Sequence, residues 1–150
     1  MRLAAAILTL PLLFPAAAGG DAVVDAVNDA RADHGLPPLT VSVRLERSAT
    51  ALARRLMREQ RFDHEPVRPP GFGLYAEALL LDFSERARPA DAVDTWMESP
   101  EHRRVLLTRT MRYVGAGVSR GDFEGERATL RVLQVGRPSA RSRPPSTRAR

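Results

Sequence analysis

The sequence predicts an α+β domain built in layers, on three observations. Helix-periodic segments and helix starts occupy the first two thirds of residues 21–136, two alternating apolar segments close it, and a glycine-bearing turn region separates those two. Asp21 or Asp25 can cap a first helix in which Val23, Val24, Val27, Ala30 and Arg31 recur at helical spacing. Gly35 ends it, and Pro37-Pro38 forbids continuation. Ser42 can cap a second helix, whose Leu45, Ala49, Leu52, Ala53 and Leu56 form one apolar stripe while Arg47, Arg54, Arg55 and Arg58 face water. From Phe62 to Leu74 the pattern reads as a loop rich in Pro and Gly. Tyr75 to Phe83 is a mostly apolar run whose periodicity leaves helix and buried strand both open. Pro89-Ala90-Asp91 starts a further helix through Trp96 and Met97, and Ser99-Pro100-Glu101 carries another helix start: a capping hydroxyl, Pro at the first helical position and an acid in the first turn. Tyr113–Ser119 and Ala128–Val135 read as strands, with residues 121–126 as the turn between them. No internal repeat is evident.

Composition narrows the class. The chain has 150 residues, 43% hydrophobic and 27% charged, which suits one globular domain and excludes a collagen-like, coiled-coil or wholly disordered chain. Cysteine is absent, so disulfides, thiolate metal sites and a cysteine nucleophile are excluded. All 23 basic residues are Arg, and five of them (Arg137, Arg141, Arg143, Arg148 and Arg150) fall in the last fourteen positions with no acid among them. Without those five and Arg2, the formal charge of +5 becomes −1 for residues 21–136. The basicity belongs to the ends, and nucleic-acid binding is not expected.

Residues 1–20 read as a secretory signal: Arg2, then an apolar stretch from Leu3 to Phe14, then the small residues Ala16, Ala17 and Ala18. An uncleaved anchor is the alternative, although the run is short for a span and contains Pro11 and Pro15. The expected location is therefore secreted, periplasmic or cell-envelope. Residues 137–150, rich in Arg, Pro and Ser, have little to bury and are expected to form a disordered tail. Membrane contact would come only through an uncleaved signal or this tail.

From Trp96 onward the residues become specific. Trp96-Met97-Glu98-Ser99-Pro100-Glu101-His102-Arg103, followed by Gly115-Ala116-Gly117-Val118, resembles the signature of bacterial, cysteine-free members of the CAP superfamily (cysteine-rich secretory, antigen 5 and pathogenesis-related proteins, also called SCP-like). Earlier landmarks occur in the family's order: Asn28 with Arg31, Gly35-Leu36-Pro37-Pro38-Leu39, Phe62-Asp63-His64, and Gly71-Phe72 followed by Ala76-Glu77-Ala78. The resemblance covers about Asp25 to Val135. It implies an α-β-α sandwich with a central cleft, in which His64 and His102 would be the two histidines and Glu77 the first acid. The chain departs from the pattern with Ala on both sides of Glu77, where the family has G-E-N, and with Val105 where an Asn is common.

By that resemblance, His64, Glu77 and His102 are candidate ligands of zinc or another divalent cation. Two imidazoles and a carboxylate would make an open site, although their spacing is no metal motif by itself. Glu98, Ser99 and Glu101 are further candidate cleft residues beside His102. The first turn of a helix disfavours imidazolium, which would keep His102 neutral. Structural readings stand beside these. His64 could bond Asp63 or Glu65, Glu77 could cap the segment after it, and His102 could stabilise only its own helix start. The Ser99 hydroxyl is expected to be engaged as a helix cap, Trp96 to lie in the core, and His34 to meet the last carbonyls of its helix. Arg120-Gly121-Asp122 reads as turn chemistry rather than an adhesion motif. No G-x-S-x-G, H-E-x-x-H or phosphate-cradling glycine loop is present. The expected function is an extracellular binding module for an envelope component, lipid or protein. A hydrolase, specifically a peptidase using the same cleft, and a lipid or sterol carrier are the alternatives.

Overall fold

The structure, a computed structural model, describes residues 19–65, 68–84 and 87–140. Most of the proposed signal and the last ten residues of the expected tail lie outside these. Along the chain the elements are α1 (Gly20–Asp33), β1 (Thr40–Val41), α2 (Val43–Glu59), β2 (Phe72–Asp82), α3 (Pro89–Glu98), α4 (Pro100–Leu107), β3 (Tyr113–Phe123) and β4 (Glu126–Pro138). The strands form one mixed sheet in the order β1-β3-β4-β2, with β1 parallel to β3 and the other pairs antiparallel. Helix α2 covers one face, and α1, α3 and α4 cover the other, so the expected α-β-α sandwich is the architecture that forms.

This layering creates two cores. Val23, Val24, Val27, Val93, Trp96 and Leu106 pack with Ala78, Val114, Leu133 and Val135 on the three-helix face. Ala49, Leu52, Ala53, Leu56 and Met57 of α2 pack with Leu79, Phe123, Leu130 and Val132 on the other. Because β4 is a middle strand with helices on both sides, its residues Ala128–Gly136 are all buried, and its apolar run continues without full alternation. On β3 the alternation places Val114 and Ala116 toward the three-helix layer. Gly115 and Gly117 turn toward α2, where a Cβ on Gly117 would stand 2.3 Å from the Ala49 carbonyl carbon. The absence of a side chain at both positions lets the α2 backbone lie directly on the strand.

Local capping agrees with the sequence in α2, where Ser42 Oγ accepts from Leu45 N at 3.5 Å. Helix α1 differs: its N-cap is Gly19, so Asp21 stands in the first turn, where its charge complements the helix dipole. His34 caps its C-terminal end, with the Nδ1–H donating to the Ala30 carbonyl at 2.8 Å. Ser99 is the N-cap of α4, but its hydroxyl makes no capping bond, contrary to expectation. Its backbone carbonyl alone accepts the first helical bond, from Arg103 N.

The Tyr75–Phe83 run resolves to strand, because its residues through Asp82 pair in register with β4 at the sheet edge. That pairing begins at Phe72, inside the expected loop, and carries β4 out to Pro138, two residues into the expected tail. The hairpin turn is tighter than expected. Phe123 pairs with Glu126, leaving Glu124 (φ 51°) and Gly125 (φ 89°) as a two-residue turn, and Arg120-Gly121-Asp122 lies in β3 rather than in a turn. Strand β1 has no counterpart in the sequence reading: two residues held by a parallel partner over seventy positions away leave no periodic signal.

Asn28 and Arg31 lock this arrangement. The Asn28 side chain donates to the Leu39 carbonyl and accepts from Leu39 N, pinning the 34–39 connection to α1. Arg31 is fully buried, with its guanidinium donating to the carbonyls of Pro37, Leu106 and Thr108. It sits against the C-terminal end of α4, where a cation meets the negative end of the helix dipole. Trp96 is wholly buried and its indole N–H donates to the Leu79 carbonyl at 3.0 Å, consistent with a core role.

Candidate functional site

Helix α2 ends at Gln60, a left-handed residue (φ 54°) whose side-chain amide donates to the Met57 and Asp122 carbonyls. This reverses the chain and returns Phe62-Asp63-His64 beside β2. On β2 the two-residue period places Tyr75 and Glu77 on one face, and register sets Glu77 opposite Gln134 of β4. That face looks toward α2, and the three elements enclose a polar cluster beneath His64.

Glu77 is its centre, with a side chain only 6% exposed. Its Oε1 accepts from His64 Nδ1 at 3.0 Å, and its Oε2 accepts from the Tyr75 hydroxyl at 2.8 Å and from Gln134 Nε2 at 2.9 Å. A buried carboxylate is tolerable only when hydrogen-bonded in this way. Burial, followed by the neighbouring Glu77 charge, pushes the Tyr75 phenol well above the ordinary tyrosine range, so it remains a donor. The bond from His64 requires its proton on Nδ1, which leaves Nε2 as the ring nitrogen outside this bond, on a side chain 59% accessible.

Beside Glu77 lies a cavity of about 240 Å³, lined by Ser48, Ala51, Leu52 and Arg55 of α2, by Glu65, and by Glu77 and Gln134. Arg55 pairs with Glu65 across its rim. The walls thus hold an ion pair, a carboxylate bound by three donors and a carboxamide, together with the apolar surface of Ala51 and Leu52.

Of the residues singled out from sequence, the structure joins His64 to Glu77, the partner neither of its simpler readings named. His102 is on α4, which packs with α1 and α3 on the face opposite α2, and among the described residues no hydrogen bond joins it to either. Glu98 and Glu101 are exposed, Ser99 is half-buried, and none of the three lines the cavity. Among the described residues no three His, Cys, Asp or Glu side chains stand close enough together to hold a metal ion. The donor set among the described residues therefore does not fit the zinc-type centre that the resemblance implied. Tyr75, Gln134, Ser48 and Arg55 join the site without being expected there. Two had a signal: once 75–83 is a strand, Tyr75 and Glu77 share a face, and Gln134 interrupts the apolar residues Val132, Leu133 and Val135. Ser48 and Arg55 depend on how α2 is rotated against the sheet, which no local pattern reports.

Chemically, the arrangement presents an oriented imidazole and a fixed, largely buried carboxylate beside a cavity of mixed lining. The His64 ring has Glu77 as its hydrogen-bond partner, and among the described residues no hydroxyl is bonded to it.

A family model described as the cysteine-rich secretory protein family, CAP, matches residues 24–132. Among solved structures, the chain is similar to an outer surface protein of Borrelia burgdorferi: TM-score 0.63, 19% identity, covering 78% of this chain and 90% of that one. It is also similar to Schistosoma mansoni venom allergen-like protein 4, with TM-score 0.62, 16% identity and coverage of 87% and 96%. A third is an extracellular protein containing an SCP domain from Bacillus anthracis, at TM-score 0.60 and 20% identity, where 76% of this chain spans 39% of the larger protein. No curated protein sequence matches. These likenesses establish a shared fold, and two of the proteins that carry it are described as outer-surface or extracellular. Landmarks in order, the sandwich they build and the family match over most of the domain together establish that this chain belongs to the cysteine-rich secretory protein (CAP) family.

Proposed function

We propose that this CAP domain is exported and acts as a binding module, using the cavity between α2 and the β2–β4 ribbon as its recognition site. The observation that carries this reading is the state of Glu77: it is almost fully buried, and three donors occupy its two oxygens. A carboxylate fixed by three donors, including the His64 ring, has a set position and orientation, which suits shaping and polarising a site. A cysteine nucleophile is absent, and among the described residues His64 has no hydroxyl hydrogen-bonded to it.

One feature favours a second reading, the hydrolase. Glu77 orients the exposed His64 side chain through Nδ1 and leaves Nε2 outside that bond, the geometry of a carboxylate-oriented imidazole. The two readings separate when the full chain is incubated with peptide and ester libraries and the products are followed by mass spectrometry. A binding module leaves the libraries intact while retaining ligands at stoichiometric amounts. Turnover that disappears in Glu77→Gln would establish the hydrolase and remove the binding reading.

A further inference from the structure

A second site is marked on the opposite face of the sheet, where the helical layer ends. On β4, Leu133 and Val135 belong to the core beneath α1, α3 and α4, and the two-residue period sets Arg131, Thr129 and Arg127 on that same face. Arg131 is covered there, with its guanidinium donating to the Ala87 carbonyl just before α3. Toward the hairpin the cover stops, and Arg127 and Arg120 are exposed. Arg120 is the cross-strand partner of Thr129, so both guanidiniums rise from one face of the β3–β4 ribbon. They line a cavity of about 200 Å³ together with Ser84, Ala128 and Thr129. Its lining thus carries two cations, two hydroxyls and no carboxylate.

The charge here is under-compensated. Among the described residues, no hydrogen bond or ion pair engages Arg120. Arg127 has Asp122 at 3.9 Å, too far for a hydrogen bond. Asp82 is turned elsewhere: it accepts from Ser84 N and lies 3.7 Å from Arg131. Arg120 adds to the positive field on Arg131, whose pKa is lowered by burial and, against the pull of Asp82, by this neighbour. A cation would be repelled from the cavity, and a neutral ligand would leave its charge as it is. A multiply charged oxyanion is attracted by both guanidiniums, and its oxygens fit the fork of N–H donors that each presents. The cavity is smaller than pockets that enclose a drug-sized molecule, so it suits a small anion or the end group of a larger one. We infer that Arg120 and Arg127 form a binding site for a tetrahedral oxyanion, a phosphate or sulfate group, separate from the Glu77 cavity on the α2 side of the sheet.

The test is a titration of the full chain, labelled with nitrogen-15 and followed by NMR at constant ionic strength, with inorganic phosphate, sulfate, glycerol phosphate and acetate. Phosphate and sulfate should give saturable shifts at Arg120, Arg127 and Thr129, and acetate should bind about tenfold more weakly. Arg120→Gln and Arg127→Gln should each weaken phosphate binding about tenfold with the fold retained, since both side chains are exposed. Arg54→Gln removes the same charge from the exposed face of α2 and should leave the affinity unchanged. Tighter binding of glycerol phosphate would assign the site to the end group of a larger ligand, and tighter binding of the free ions would assign it to those ions; either supports the inference. Absence of saturable shifts, acetate binding as tight as phosphate, or an equal loss in Arg54→Gln would overturn it, as would unchanged affinity in both cavity variants. None of these outcomes touches the binding reading, which rests on the other face of the sheet.

Discussion

Gly117 gives a sharp test of how the sheet and α2 are joined, through Gly117→Ala. A Cβ there would lie 2.3 Å from the Ala49 carbonyl carbon, 2.4 Å from its oxygen and 2.4 Å from Thr50 N. All three are backbone atoms of a continuous helix, so no side-chain rotation relieves the contact. Ordinary van der Waals contact begins near 3.4 Å, so α2 would have to withdraw by roughly 1 Å. Withdrawal loosens the packing of Leu52, Leu56 and Met57 against Leu79 and Val132, and it shifts the cavity wall formed by Ser48 and Arg55. Overpacking costs about 1–3 kcal/mol when side chains can yield; against rigid backbone we expect about 3 kcal/mol, a fall in Tm on the order of 10 °C. Gly121→Ala is the internal control, since its Cβ would meet only the flexible end of Met57 at 3.2 and 3.4 Å, and it should cost less than about 1 kcal/mol. Urea and thermal unfolding by circular dichroism read both. A Gly117→Ala protein as stable as Gly121→Ala would refute the claim that bare backbone contact seats this helix.

Three other perturbations probe the core and the buried cluster. Arg31→Met removes the donor that serves three carbonyls and should destabilise by about 3 kcal/mol in urea unfolding; Arg31→Lys, which lacks the fork, should recover little of it. Ultraviolet titration should show Tyr75 un-ionised through about pH 10, where a free phenol titrates. Since its folded pKa is raised, the associated stability is fully present below about pH 10 and is lost as the pH climbs beyond it; Tyr75→Phe should abolish that alkaline limb. Trp96, the one tryptophan, should emit at short wavelength and resist acrylamide, and Trp96→Phe should cost about 2–3 kcal/mol through the lost bond to Leu79 and the space left behind.

Family residues divide by what they do in this chain. Asn28, Arg31, Trp96, Gly115 and Gly117 hold loops, helices and sheet together, and their roles are structural. His64 and Glu77 keep a shared site, whereas His102, Glu98, Ser99 and Glu101 do not line its cavity. In this site Tyr75 and Gln134 are the donors that, with His64, satisfy the buried Glu77 side chain.

Much of the architecture is legible in the residue order alone, because helices announce themselves locally. The α2 stripe, its Ser42 cap and the proline starts of α3 and α4 each rest on groups within a few positions of one another. The family's order of landmarks adds the sandwich. The hidden parts depend on partners distant in sequence. The Tyr75–Phe83 run is a strand only because β4 is there to pair with it, β1 exists only against β3, and β4 runs to Pro138 because Phe72 and Leu74 pair with Pro138 and Arg137. The site is decided at the same level. Which histidine meets Glu77, and which two side chains complete its hydrogen bonds, depend on strand register and on the seat of α2 on two glycines, a tertiary fit that side-chain chemistry alone does not encode.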